Sequence, residues 1–147
     1  MNAARTADHR HAALVVAAVA TSGSLYLSLV MGLVPCDLCW YQRIMMYPLV
    51  PLIAVGLLRD DSLAAYVLPM TVGGFSVAAY HNYLQMTPAT GSCTSEVPCS
   101  VVQYSFPGFS LGGFTVLGGV TIPQMSLAAF GIITALFLLP RVAEVRV

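Results

Sequence analysis

From Ala12 to Val34 the chain carries no charged residue. Coiled as a helix, that run of about 23 residues is roughly 35 Å long, enough to cross a bilayer's hydrocarbon layer with some tilt. A cleaved signal sequence is the rival reading. Its apolar core would be only about 7–15 residues long and would end at a small-residue cleavage site, whereas this run is longer and ends in Val34-Pro35-Cys36. A spanning helix is therefore expected. Lipid offers no partner to a backbone N–H or C=O, so whatever follows such a helix inside the membrane must also be helical. The composition agrees: 58% of the 147 residues are hydrophobic and only 8% are charged. Soluble domains carry about 25% charged residues. The length suits a single domain, 1–147. A formal net charge of +0 provides no basic surface for nucleic acid.

Three more spans are expected. The second runs from Trp40 to Leu58, with Trp40 and Tyr41 suited to the membrane interface and a kink at Pro48 and Pro51. Arg59-Asp60-Asp61-Ser62 forms a turn in which Asp61 or Ser62 could cap the next helix. The third span covers 63–83. Its small residues Gly73, Gly74, Ala78 and Ala79 allow close helix packing, and it ends in the interface-like cluster Tyr80-His81-Asn82-Tyr83. The stretch 85–121, rich in Gly, Ser, Thr and Pro, reads as one large loop whose apolar half (106–117) lies on the membrane surface. The fourth span, 122–139, opens at Pro123, a good first-turn residue. The fold class is thus an all-α four-helix transmembrane bundle with one large extracytoplasmic loop. Four spans put both termini on one side with Arg5, Arg10, Arg59, Arg141 and Arg146, leaving Arg43 alone on the other. Arginine bias marks the cytoplasmic face, so the cysteines are expected on the outer, oxidising side of a cell membrane.

The four cysteines form two sequence pairs, Cys36/Cys39 and Cys93/Cys99. Cys36 and Cys39 bracket one helical turn at the start of the second span. Helix N-termini carry partial positive charge and free N–H donors, which favour a thiolate. Arg43 follows Cys39 by one turn on the same face. Alone it reads as an arginine snorkelling to the interface, but its place beside Cys39 favours a role on a thiolate or a bound ligand. A zinc site is disfavoured, because the spacing of Cys93 and Cys99 is wider than usual for metal ligands, and no metal is expected. A static disulfide at Cys36/Cys39 is also disfavoured, since such staples usually close longer loops. For Cys93/Cys99 a structural staple and an exchangeable disulfide open to a protein partner are comparably good readings. Two pairs on one face would allow electrons to pass between them by thiol–disulfide exchange. Judged locally, His81 is most simply an interfacial histidine; the functional reading makes it a partner for a ligand near Arg43.

The string Cys36-x-x-Cys39-Trp40-Tyr41-Gln42-Arg43, with Tyr80-His81-x-x-Leu84-Gln85 and Ile122-Pro123-Gln124, resembles the disulfide bond formation protein B family (DsbB and its shorter BdbC relatives) over nearly the whole chain. The resemblance implies a membrane enzyme that reoxidises a secreted DsbA-like (BdbD-like) thioredoxin-fold protein and passes the electrons to a membrane quinone, ubiquinone or menaquinone. It implies that the partner attacks Cys93, that Cys99 then exchanges with Cys36, and that the released Cys39 thiolate meets the quinone. Arg43 and His81 are implied at the quinone. The Cys93–Cys99 spacing resembles the BdbC type.

Three rival readings make different predictions. A vitamin K epoxide reductase-like quinone reductase carries its active CxxC late in the chain, whereas here it follows the first span. A non-catalytic four-span protein with two structural disulfides predicts that Cys39→Ser harms only stability. An inward-running reductant conduit would need cysteines reachable from the cytoplasmic face, and none is placed there.

Overall fold

The computed structural model describes residues 2–59, 63–87, 97–106, 110–111, 114–115 and 119–145. Among the described residues five helices carry the fold: α1 (Asn2–Leu29), α2 (Asp37–Met46), α3 (Leu49–Leu58), α4 (Ala64–Met86) and α5 (Ile122–Val145). Three stretches among the described residues, Asp8–Leu29, Asp37–Leu58 and Ile122–Leu139, are long and apolar enough to cross a membrane. α4, with 23 residues, makes the fourth long helix.

The first helix ends earlier than its uncharged run. Gly32 takes the left-handed φ of 69°, which turns the chain so that Leu33 N–H reaches Leu27 O at 3.0 Å. Pro35 then disfavours helix at the residue before it. The second span is two helices rather than one kinked helix. Pro48 and Pro51 have no N–H to donate, so the carbonyls of Ile44 and Tyr47 lose their normal partners. Val50 N–H turns to Tyr47 O instead, at 3.3 Å. Pro51 then falls in the first turn of α3, where a missing donor is tolerated.

α4 begins at Leu63, which stands at the N-cap with a left-handed φ of 36° and makes no side-chain capping bond. The capping candidates Asp61 and Ser62 lie outside the described residues. α5 begins where expected. Thr121 is its N-cap residue, and Gln124 Oε1 reaches back to accept from Thr121 N–H at 3.1 Å. That contact is half of a capping box.

α4 packs along α5 and α2, while α1 packs against α5 and α3. The core between them is built from Ala13, Ala17, Leu49, Ile53, Val67, Ala78, Phe130 and Ile133. Gly74 lets the Phe130 ring lie directly on the α4 backbone, and Gly73 faces Met45. Val15, Val19, Leu29, Leu58, Val72, Ile132 and Leu139 point outward. A continuous apolar exterior of that kind suits lipid, where apolar exposure carries no penalty.

In the stretch 85–121, α4 persists to Met86. Four two-residue strands follow in two antiparallel pairs: β1 (Ser105–Phe106) with β4 (Val120–Thr121), and β2 (Ser110–Leu111) with β3 (Phe114–Thr115). Gln103 Nε2 donates to Val34 O at 2.9 Å, fastening this stretch to the segment that precedes α2.

Candidate functional site

Pro35 holds the chain extended and Cys36 follows as the N-cap of α2, with φ −72° and ψ 172°. Asp37 stands in the first turn, where a negative charge complements the helix dipole. Cys39 therefore lies one turn into the helix, above Cys36. Both are free thiols, and their sulfurs are 2.8 Å apart. Cys36 is 3% exposed and packs with Leu84 and Cys99, with Leu38 and Cys39 against them. Cys99 is disulfide-bonded. Cys93 lies outside the described residues.

The Cys36 thiol is held far below its ordinary value of 9.0, at about 4. The main cause is the hydrogen bond donated by Cys39; burial opposes it, and a hydrogen bond from His81 reinforces it. Sequence reasoning placed the stabilised thiolate at Cys39. The hydrogen bond from Cys39, reinforced by the imidazole, directs that stabilisation to Cys36.

His81, 2% exposed, comes from the last two turns of α4. Its Nε2 lies 3.1 Å from Cys99 O and 3.8 Å from Cys36 Sγ. Its Nδ1 lies 3.1 Å from Gln42 Nε2. The imidazole thus stands between a residue of each cysteine pair. Arg43 turns away from the sulfurs: its guanidinium donates to Ser24 O at 3.1 Å and to the Ser28 hydroxyl, both on α1. It also stacks on Trp40, 5.4 Å from the ring centre. The structure therefore brings together Cys36, Cys39, His81 and Cys99, and ties Arg43 into the α1–α2 contact.

Sequence reasoning missed Gln42 and Ser126, which are joined by a 2.6 Å hydrogen bond from the Ser126 hydroxyl to Gln42 Oε1. A signal was available for Gln42: an amide in a predicted span needs a buried partner. Nothing marked Ser126.

A small, open depression adjoins the thiols, bounded by Cys36, Cys39, His81, Tyr104, Ile122 and Pro123 among others. The sulfurs of Cys36 and Cys39 and a ring nitrogen of His81 also lie within 4.8 Å of one another. Each ring nitrogen is already engaged, however, one with Cys99 O and the other with Gln42. Neither has a lone pair free for a metal in this arrangement.

A bundle of membrane helices with a vicinal dithiol at a helix N-terminus, a disulfide-bonded cysteine packed against it and an imidazole between them defines a membrane thiol–disulfide oxidoreductase. The family model described as "Disulfide bond formation protein DsbB" matches residues 8–140, and the chain belongs to that family. It is 39% identical to "Disulfide bond formation protein C" of Bacillus subtilis over 124 residues, 82% of this chain and 83% of the relative. It is 41% identical over 130 residues to a "Probable disulfide formation protein" of Oceanobacillus iheyensis, covering 85% and 83% of the two chains. A "Probable disulfide formation protein" of Coxiella burnetii is 38% identical over 122 residues, 80% and 76% of the two. No solved structure matches the chain. The protein is thus a membrane-embedded oxidoreductase of disulfide bond formation.

Proposed function

We propose that the chain is a thiol:quinone oxidoreductase that reoxidises an extracytoplasmic, DsbA-like thioredoxin-fold dithiol and delivers the electron pair to a membrane quinone. The observation that carries this reading is the burial of Cys36 against Cys99, with His81 Nε2 within reach of both residues. Exchange between two pairs requires such an approach. Both termini then face the cytoplasm and the cysteines face outward, as the arginine distribution favours.

The partner's thiolate attacks Cys93, forming a mixed disulfide and releasing Cys99 as a thiolate. The partner's second thiol then closes its own disulfide and frees Cys93. The Cys99 thiolate attacks the Cys36–Cys39 disulfide at Cys36, and Cys39 leaves as a thiolate at the depression. When Cys93 displaces Cys36 from Cys99, the outer disulfide is restored and the inner pair is left reduced. The partner's two electrons and two protons have then moved to Cys36 and Cys39.

The lining chemistry suits a quinone head that docks at the surface of this depression: Cys36, Cys39 and His81 stand beside the apolar side chains of Ile122 and Pro123. A bound quinone supplies a two-electron, two-proton acceptor. Cys39, less buried than Cys36, would present the outgoing sulfur to it, with His81 held beside the pair. Arg43, anchored on Ser24 and Ser28, fixes a positive charge one turn from Cys39.

The test is quinone reduction followed by absorbance, using purified protein in detergent, a soluble ubiquinone or menaquinone analogue, and a reduced thioredoxin-fold dithiol as the only electron donor. Turnover should vanish in Cys39→Ser and in Cys93→Ser, and Arg43→Ala should weaken it. Folded, oxidised protein that turns over neither quinone would refute the reading and favour static disulfides.

A further inference from the structure

Two polar side chains behind the thiols have no part in that scheme. Gln42 is 6% exposed and Ser126 is half-buried, and they come from different helices, α2 and α5. They meet at 2.6 Å, and Gln42 then continues to His81 at 3.1 Å. The chain of contacts runs Ser126, Gln42, His81, Cys99, crossing α5, α2, α4 and the loop.

The direction of this chain is fixed from one end. Cys99 O, 3.1 Å from His81 Nε2, is a carbonyl and can only accept. His81 Nε2 must therefore carry the proton. In a neutral imidazole Nδ1 is then an acceptor, and Gln42 must present its NH2 group to it. Gln42 Oε1 is left facing Ser126, whose hydroxyl donates. That hydroxyl also lies 2.9 Å from Pro123 O, so its one proton sits between two acceptors. The reversed amide would require a proton on Nδ1. It would leave either an Nε2 lone pair against a carbonyl or an imidazolium paired with the Cys36 sulfur, and it would turn the Gln42 NH2 rather than Oε1 toward the Ser126 hydroxyl, against the observed orientation of the amide.

We propose that Gln42 and Ser126 are positioning residues that lock His81 in the Nε2–H tautomer, so that its one ring proton is directed at both Cys99 O and the Cys36 sulfur. The chemical consequence rests on the thiol-exchange reading above. So held, His81 has no free lone pair for Cys36 and acts on it as a hydrogen-bond donor, not as a base. A donor at 3.8 Å favours a negatively charged sulfur over a disulfide sulfur. The lock therefore stabilises the reduced inner pair and makes the Cys36–Cys39 disulfide the better electron acceptor. The equilibrium concerned balances simply. Two thiols lose two electrons and two protons to oxidised glutathione, an S–S bond forms, and two glutathione thiols are released.

Two measurements test this on the full-length protein in detergent. The first is ¹⁵N NMR of the His81 ring in the reduced protein near neutral pH, with the signal assigned by His81→Gln. Wild type should show Nε2 protonated and Nδ1 bare. Gln42→Glu, which can only accept at Nδ1, should move a proton onto Nδ1. Gln42→Met should leave a mixture of tautomers. The second is the glutathione redox equilibrium of Cys36–Cys39, read separately from the other pair by alkylation and mass spectrometry. In Gln42→Met the equilibrium constant should shift about tenfold toward the disulfide, the size of one lost hydrogen bond to a charged group and about 30 mV for a two-electron couple. Ser126→Ala should shift it in the same direction by less, and it supplies the test if Gln42→Met does not fold. Wild-type His81 with Nδ1 protonated, or with both nitrogens protonated, would overturn the proposal. So would folded variants whose ring signals and potential match wild type. Neither readout involves quinone. If both respond as expected while quinone turnover is absent, the lock stands and the quinone reading falls.

Discussion

Gly74→Ala places a methyl group where the structure has an aromatic ring. A Cβ built there would lie 2.3 Å from both Cε1 and Cζ of Phe130 and 2.7 Å from Cδ1. Ordinary carbon–carbon contact is about 3.5–4.0 Å, so the ring would have to retreat by more than about 1 Å. Phe130 is 0% exposed, so the ring can retreat only by displacing its packed neighbours. Overpacking of this kind costs about 1–3 kcal/mol, and the better helix propensity of alanine returns at most about 1 kcal/mol. The net expectation is a loss of about 1–2 kcal/mol, or a Tm lowered by about 3–6 °C in thermal unfolding of the detergent-solubilised protein. Phe130→Leu alone should also destabilise, by leaving a void. Combined with Gly74→Ala it makes room for the methyl, so the double variant should be more stable than the sum of the two losses by about 1 kcal/mol or more. Strict additivity of the two losses, or a Gly74→Ala protein as stable as wild type, would refute the argument. The same wedge has a functional readout. Gly74 lies about two turns from His81 on α4, and Phe130 about one turn from Ser126 on α5. Prying α4 from α5 should therefore also weaken the contacts that reach His81.

Three further outcomes follow from the site. With Cys36 held at about 4, its thiolate signal in the ultraviolet should persist in the reduced protein down to near pH 5, whereas an ordinary thiol loses it below about 8; Cys39→Ala should move the transition up more than His81→Ala does. Because the folded value lies below the ordinary 9.0, this group's contribution to stability is complete above about pH 9 and is lost progressively as pH falls toward 4, which pH-dependent unfolding of wild type against Cys36→Ala checks. Ser28→Ala removes one partner of the Arg43 guanidinium and should lower stability by about 1–2 kcal/mol in thermal unfolding, with a smaller loss in an Arg43→Met background.

The helices were legible in the sequence because lipid enforces them: an uncharged run of spanning length has few alternatives. Their ends were less so. Gly32 and Pro35 close α1 well before its apolar run is over, and apolarity does not report a turn made with apolar residues. Pro48 and Pro51 announced a disturbance, but whether two prolines bend a helix or divide it depends on where the freed carbonyls find partners. Cys36, Cys39 and His81 were legible as chemistry. Their mutual arrangement was not, because the meeting of His81 with Cys36 depends on how α4 packs on α2. Arg43 was legible as costly in a membrane, and the structure meets that cost with Ser24 and Ser28, polar residues of α1 that carry no motif. Ser126 was invisible for the same reason.

The division at Pro48 has a mechanical consequence. α2 is a ten-residue rod that carries Cys39, Gln42 and Arg43 on one rigid body, jointed to α3 where the ladder of backbone bonds is interrupted. A continuous helix would transmit every tilt forced on it by a thicker or thinner bilayer straight to its outer end. Here α3 can lean with the membrane while the rod above is braced by its own struts, Arg43 to α1 and Gln42 to α4 and α5.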